Sequence, residues 1–280
     1  SERKTASLER QLSQAQKSMQ QSSKNLRGQK PKDAQKDQQD AIDHLQQAKD
    51  EVEERLKQLR EEMQMEILAA LEERFREMLE RQKPVTVSTA ETDKRRLERE
   101  ALPNGEFPLT RAEQISVANY AEEEAALAEL AARALNVIAE DGTTVVFPRI
   151  VEQLKEDLET VSKFLEREDT GQYTQSLQQQ IEETLEELIA ALQRAQEVAE
   201  NQPPPGEQGP QSDQLPPLVP QSAELKLLKA AQLRVNKRTT RFDESLPEGQ
   251  PLAEPMRQEI HRIADRQDQV RDMAEKLTEP

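Results

Sequence analysis

The 280 residues contain two histidines, each one helical turn from an aspartate: His44 follows Asp40, and His261 precedes Asp265. A His–Asp pair at i, i+4 can hold a divalent metal or orient a general base. Neither pair brings a third ligand or a nucleophile, so the plainer reading is a solvated imidazole beside a salt-bridging carboxylate. The acidic runs Glu122-Glu123-Glu124 and Glu182-Glu183 with Glu186-Glu187 could supply carboxylate ligands. Di-iron bundles combine such glutamates with Glu-x-x-His on facing helices, and this chain lacks that motif. Solvated helix faces account for the runs. With seven glycines and no cysteine, the chain has no Gly-rich phosphate loop, no GxSxG and no thiolate. The reading is a protein that is not an enzyme, with no catalytic, cofactor or metal site and no small-molecule substrate.

One segment stands apart in charge. Residues 225–241, LKLLKAAQLRVNKRTTR, hold six basic side chains and no acidic one, in a chain of net charge −16. At 100° per residue, Leu225, Leu228, Ala231, Val235 and Phe242 fall on one side of a helix. Lys226, Lys229, Arg234, Lys237, Arg238 and Arg241 fall on the opposite half, and these six are the candidate partner-binding residues. A basic amphipathic helix lies on an anionic membrane surface or docks on a partner. Trp is absent, so membrane contact lacks its interfacial anchors and is at most peripheral. Nucleic acid is excluded by the acidic surface and the lack of stacking side chains. The simpler alternative packs this helix within the protein, where it balances the acidic helices. Docking on another acidic protein comes next.

The elements that carry these residues are long helices. Ala, Glu, Leu, Lys and Arg make up half of the chain, hydrophobic residues only 34% and aromatics 2%. That composition suits thin bundles in which each helix buries one stripe, not a thick globular core. No apolar run is long enough to span a bilayer. Leu8, Leu12, Ala15, Met19, Ser22 and Leu26 keep a heptad rhythm that stops at Gly28 and Pro31. Ala34, Ala41, Leu45, Ala48 and Val52 continue it. The spacing predicts an antiparallel hairpin in which residues whose numbers sum to 60 face each other, large against small. The second helix is read as ending near Gln82. Beyond Val52 its apolar positions rotate around the helix, and Phe75 is expected deep in a central bundle.

Thr110 with Glu113 forms a capping box that opens a further helix, and Gly171 is read as a helix end. Residues 201–220 contain seven prolines and two glycines, the composition of a semi-extended linker. Two last helices follow. Folded back on each other, they place Gln232 opposite Gln267 as a buried polar pair that fixes register. The basic residues then lie on the outer face, partly neutralised by Asp265, Asp268 and Asp272. The fold class is all-α: a long antiparallel coiled-coil hairpin (1–82), an irregular connection (83–109), a helical bundle (110–200) packing on 60–80, a Pro-rich linker (201–220) and a C-terminal helical hairpin (221–280).

The segments AIDHLQQAKDEVEERLKQLREEMQMEILAALEERFREML, DGTTVVFPRIVEQLKEDLETV and LPPLVPQSAELKLLKAAQLRVNKRTTRFDE resemble, in this order, an uncharacterised family of exported coiled-coil proteins of planctomycete bacteria. The resemblance runs from about residue 37 to 277 and brings no activity, so no site residues carry over. It implies an exported or periplasmic protein whose leader is missing from this chain, with a cytoplasmic location as the alternative. The functional expectation is a non-catalytic scaffold or adaptor of the cell envelope whose partner is a protein, a second copy of the chain included. The alternative is a peripheral module that binds anionic lipid or polymer through residues 225–241.

Overall fold

The computed structural model describes residues 2–100, 109–201, 217–244 and 254–278. Among them lie seven helices and no strand: α1 (Glu2–Arg27), α2 (Pro31–Glu100), α3 (Arg111–Asp141), α4 (Val146–Glu166), α5 (Gln172–Glu200), α6 (Gln221–Glu244) and α7 (Glu254–Thr278). The protein is all-α. It divides into two units, Ser1–Glu66 and Ile67–Pro280, and α2 contributes to both.

In the first unit, α1 stops through a paired set of turn bonds. The Lys30 amide donates to the Asn25 carbonyl (2.9 Å) and the Gln29 amide to the Leu26 carbonyl (3.1 Å), the pattern of a Schellman motif. The left-handed residue is Gln29 (φ 57°), not the neighbouring Gly28. Three side-chain bonds then join α1 to α2: Ser7 to Glu51 (3.1 Å), Gln11 with His44 (2.9 Å) and Asn25 to Asp37 (2.7 Å). Partners descend along α2 as α1 ascends, so the two helices run antiparallel. The line between them departs from the large-against-small expectation. Ala15 and Ser22 of α1 and Ala34, Ala41 and Ala48 of α2 are buried, whereas Leu12, Met19, Leu26, Leu45 and Val52 are 40–52% exposed. The small residues of both helices are thus the buried ones, and the large side chains are partly exposed.

The second unit has its core on the later part of α2. Leu68, Leu71, Phe75 and Met78 are at most 1% exposed, and the Phe75 ring lies 6.3 Å from that of Phe147 on α4. The expected end near Gln82 is corrected: α2 continues through Pro84 to Glu100. Pro84 has no N–H for the Glu80 carbonyl, a loss that normally ends a helix. Packing overrides it, because Val85, Thr89, Thr92 and Asp93 are buried along the same face. The threonines also turn their hydroxyls onto their own helix. Thr86 donates to the Gln82 carbonyl, Thr89 to Val85 and Thr92 to Ser88. The stretch from 83 to 100 is therefore helix, and residues 101–108 lie outside the described residues.

Downstream, α3 opens on the capping box. The Glu113 amide donates to Thr110 Oγ1 (3.3 Å), and the Thr110 amide donates to Glu113 Oε2 (2.8 Å). Gly142, at φ 66°, closes the helix. α4 ends in a second Schellman arrangement around Glu168 (φ 63°), while Gly171 precedes α5 as its N-cap rather than ending α4.

The start of α4 has no cap of its own. Glu224 of α6 supplies one: its Oε1 accepts from the amides of Val145 (2.9 Å), Val146 (2.9 Å) and Phe147 (3.3 Å). A carboxylate suits that end of a helix because unpaired amides and the helix dipole both favour negative charge. Just before α6, Leu218 and Val219 are buried, and the Leu218 amide donates to Thr143 Oγ1 (2.8 Å). The linker reading is thus corrected for Leu218 and Val219, which are packed; residues 202–216 lie outside the described residues. The C-terminal helices are not a separate hairpin either, since α6 packs on α4, α5 and α7 within the second unit.

Candidate functional site

Three polar side chains meet in the core of the second unit, one each from α2, α3 and α5. Glu124 is fully buried, as are Gln82 and Gln178. Both amides donate to Glu124 Oε1, Gln82 at 2.9 Å and Gln178 at 2.8 Å. Gln82 also donates to Thr86 and Gln178 to Thr89, whose hydroxyls are already committed to backbone carbonyls. Every donor in the cluster is used. What remains is Glu124 Oε2, Gln82 Oε1 and Gln178 Oε1, three buried oxygens with no protein hydrogen-bond partner.

No basic side chain balances Glu124. Its neighbour Glu123 pairs outward with Arg81 (2.6 Å), and Glu123 and Glu182 add like charge nearby. Burial pushes the Glu124 carboxyl up to about 7, and the two amide bonds offset only part of that cost. Asp93, one to two turns along the same face of α2 from Thr86 and Thr89, provides the contrast. It is nearly as buried, but Arg96 (2.8 Å), Thr170 (3.1 Å) and Gln175 (3.2 Å) all donate to it. Glu113 is held down to about 2, first by its bonds from Arg99, which outweigh the desolvation cost, and then by the bonds from Thr110. Among the described residues, the other buried acids of this unit are matched by donors, and Glu124 is left short of them.

The solvated-face reading of the acidic runs is corrected for Glu124 alone; Glu122 and Glu186 are exposed. Glu124 lies in the core, and the second run meets basic side chains: Glu186 binds Lys83 (3.4 Å) and Glu183 binds Lys237 (2.8 Å). Glu187 pairs with Arg234, although burial still raises its carboxyl above the usual range. His44 bonds Gln11, and His261 is exposed. Among the described residues, no three His, Asp or Glu side chains gather as metal ligands, and no helix is long and apolar enough to cross a membrane.

The basic segment is split by its packing. Leu227, Ala231 and Val235 form its buried edge, and Leu225 is exposed, contrary to the expected apolar side. Arg234 and Lys237 turn to Glu187 and Glu183 of α5. Arg238 bonds the Tyr173 hydroxyl and lies 5.8 Å over the Tyr173 ring. The expected neutralisation by α7 is corrected for Asp268 and Asp272, which pair with Arg271 of their own helix. Lys226, Lys229 and Arg241 are exposed. With the exposed Leu225 and Leu233 they stand on the outer side of α6.

The reciprocal amide pair is present, Gln232 to Gln267 at 2.8 Å and Gln267 to Gln232 at 2.9 Å, but at the exposed rim and not inside the seam. α7 is held instead by Arg266, which reaches Asp157 of α4 (2.7 Å), and by Gln269 with Gln153 (2.7 Å). A cleft of about 30 Å³ opens where α4 to α7 meet, among Gln153, Asp157, Arg234, Arg238 and Arg266. That is room for a water or two.

The remaining feature is the flank of the α1–α2 pair. The polar residues that cross-link the helices, Ser7, Gln11 and Asn25 with Glu51, His44 and Asp37, share one side of the seam. At 100° per residue, Leu8, Leu12, Met19 and Leu26 and, on α2, Leu45, Val52, Leu56 and Met63 share the other. Leu59 sits at the seam line. Comparison with protein-family models, with curated proteins and with solved structures finds no match for the chain.

Proposed function

We propose that the chain is a non-catalytic helical scaffold or adaptor that works through protein–protein contacts. In this reading α1 and the start of α2 form an antiparallel coiled-coil hairpin. The observation that carries it is the hairpin's one-sided apolar flank. Contiguous exposed apolar surface of this kind marks an interaction site, and its partner must offer a matching long stripe. A cell-envelope setting with export of the mature chain rests on the planctomycete resemblance; a cytoplasmic setting is the alternative. A photo-crosslinking residue at Leu45, in cells that make the protein, should give covalent protein adducts, and the same group at Asp40 on the polar side should not. Folded protein that yields no adduct from Leu45 would overturn the reading.

A second reading has its own observation: Lys226, Lys229 and Arg241 stand exposed beside Leu225 and Leu233. Such a face suits a peripheral module on anionic lipid or polymer. Co-sedimentation with anionic vesicles at low salt, lost at high salt and lost in the Lys226→Glu, Lys229→Glu, Arg241→Glu triple variant, would favour it. Protein that stays in the supernatant at low salt would rule out the lipid form of this reading.

A further inference from the structure

We propose that the apolar flank of the α1–α2 hairpin is a self-association surface whose occupant is the same flank of a second copy of this chain, turned end over end. The inference rests on the protein-contact reading above and names the partner.

The first argument is geometric. Antiparallel helices show residues of increasing helical angle on the same side of their shared seam. By that rule Leu8, Leu12, Met19 and Leu26 of α1 fall together with Leu45 and Val52 of α2, with Ile42 at the outer edge. The hydrogen-bonded polar residues all fall on the other side. A two-helix hairpin with small residues in its seam buries little and is marginal alone. Stacking two such flanks makes a four-helix arrangement with a common apolar interior.

Area is the second argument. Leu12, Met19, Leu26, Ile42, Leu45 and Val52 are each 40–57% exposed. Their uncovered surface comes to roughly 550 Å² per copy, so two copies remove about 1,100 Å² from water, above the ~1,000 Å² expected of a specific interface.

The third argument is charge, and it selects a second copy. A two-fold axis crossing the hairpin at its middle makes each residue near it meet itself. Like charges there would repel. The middle of the flank carries Gln16, Gln20 and Ser23 on α1 and Gln38 and Ile42 on α2, none of them charged. Away from the middle, Glu9 lies toward one end of α1 and Arg27 at the other. Reversal of the second copy sets Glu9 of each chain opposite Arg27 of the other. Every adjacent helix pair is then antiparallel, with the helix dipoles opposed.

The chain has no cysteine, so a single one introduced on the axis can pair only with itself. Ile42→Cys should form a disulfide-linked dimer under mild oxidation, while Asp40→Cys on the polar side should stay unlinked. Light scattering of the wild-type chain should give twice the 32.0 kDa of one copy, and Met19→Glu with Ile42→Glu should halve that mass. A wild-type monomer with Ile42→Cys unlinked overturns the inference. So does a dimer whose mass the double variant leaves unchanged. If the monomer nonetheless gives heterologous adducts from Leu45, only the self-partner is lost and the adaptor reading survives. If it gives none, both fall.

Discussion

Replacing Glu124 by Gln removes the ionisation of the buried carboxyl and keeps its shape. The group rises from its ordinary 4.5 to about 7 in the fold. A raised folded-state value means that the folded protein holds a proton the unfolded chain has released. The associated stability is therefore complete below pH 4.5 and is lost as pH climbs to about 7, after which the loss is constant. At 1.36 kcal/mol per pH unit the change across that window is about 3 kcal/mol. The substituted glutamine cannot ionise, and its amide supplies a donor to a cluster left with three unpaired acceptor oxygens. The variant should match the wild type near pH 4.5 and exceed it by about 3 kcal/mol at pH 8. Urea titrations from pH 4.5 to 8, read by tyrosine fluorescence, measure this directly, because Tyr120 and Tyr173 are the only tyrosines and both lie in the second unit. Taking the difference between variant and wild type cancels the histidines and the other acids. A stability difference that stays flat across the window, or a variant less stable than wild type at pH 8, would refute the reasoning.

Three further outcomes are expected. Phe75→Ala empties a fully buried site against Phe147 and should cost about 3–5 kcal/mol in the same urea assay. Glu224→Ala leaves the Val145, Val146 and Phe147 amides without their acceptor. It should destabilise the second unit by about 2 kcal/mol, the upper range for a lost helix cap, with Glu224→Gln recovering part of this. Gln29→Gly relieves a left-handed residue (φ 57°) and should stabilise the first unit by about 1 kcal/mol, seen as a higher thermal midpoint by circular dichroism.

The regular features of the fold were legible because they repeat or sit at fixed offsets. Heptad spacing marks the helices, Thr110 and Glu113 mark the start of α3, and the register of α6 on α7 follows from aligning the one Gln of each stripe. What failed was local chemistry that packing overrides. Pro84 and the β-branched run after it read as a break, yet the buried row Leu71, Phe75, Met78, Gln82, Val85 and Thr89 continues at steps of four and three. The same test was available for Glu124, which stands in the row Val117, Ala121, Glu124, Ala128, Ala131. Its place in a run of three glutamates masked that position. The facing of Arg234 and Lys237 toward α5 needed the tertiary structure, since periodicity within one helix does not say which neighbour it meets. Glu224 as the cap of α4 acts across 79 residues, and no spacing rule reaches that far.

That long-range cap has a consequence for the integrity of the chain. Between Asn201 and Pro217 the backbone is one route from α5 to α6, and Glu224 on the α4 amides, Leu218 on Thr143 and Arg266 on Asp157 are others. Peptide-bond continuity there is redundant with the noncovalent bonds. A protease that nicks the interval 202–216 would leave two polypeptides still held as one particle, and the two pieces produced separately should reassemble. The second unit is thus tied across that interval by side-chain contacts as well as by the backbone.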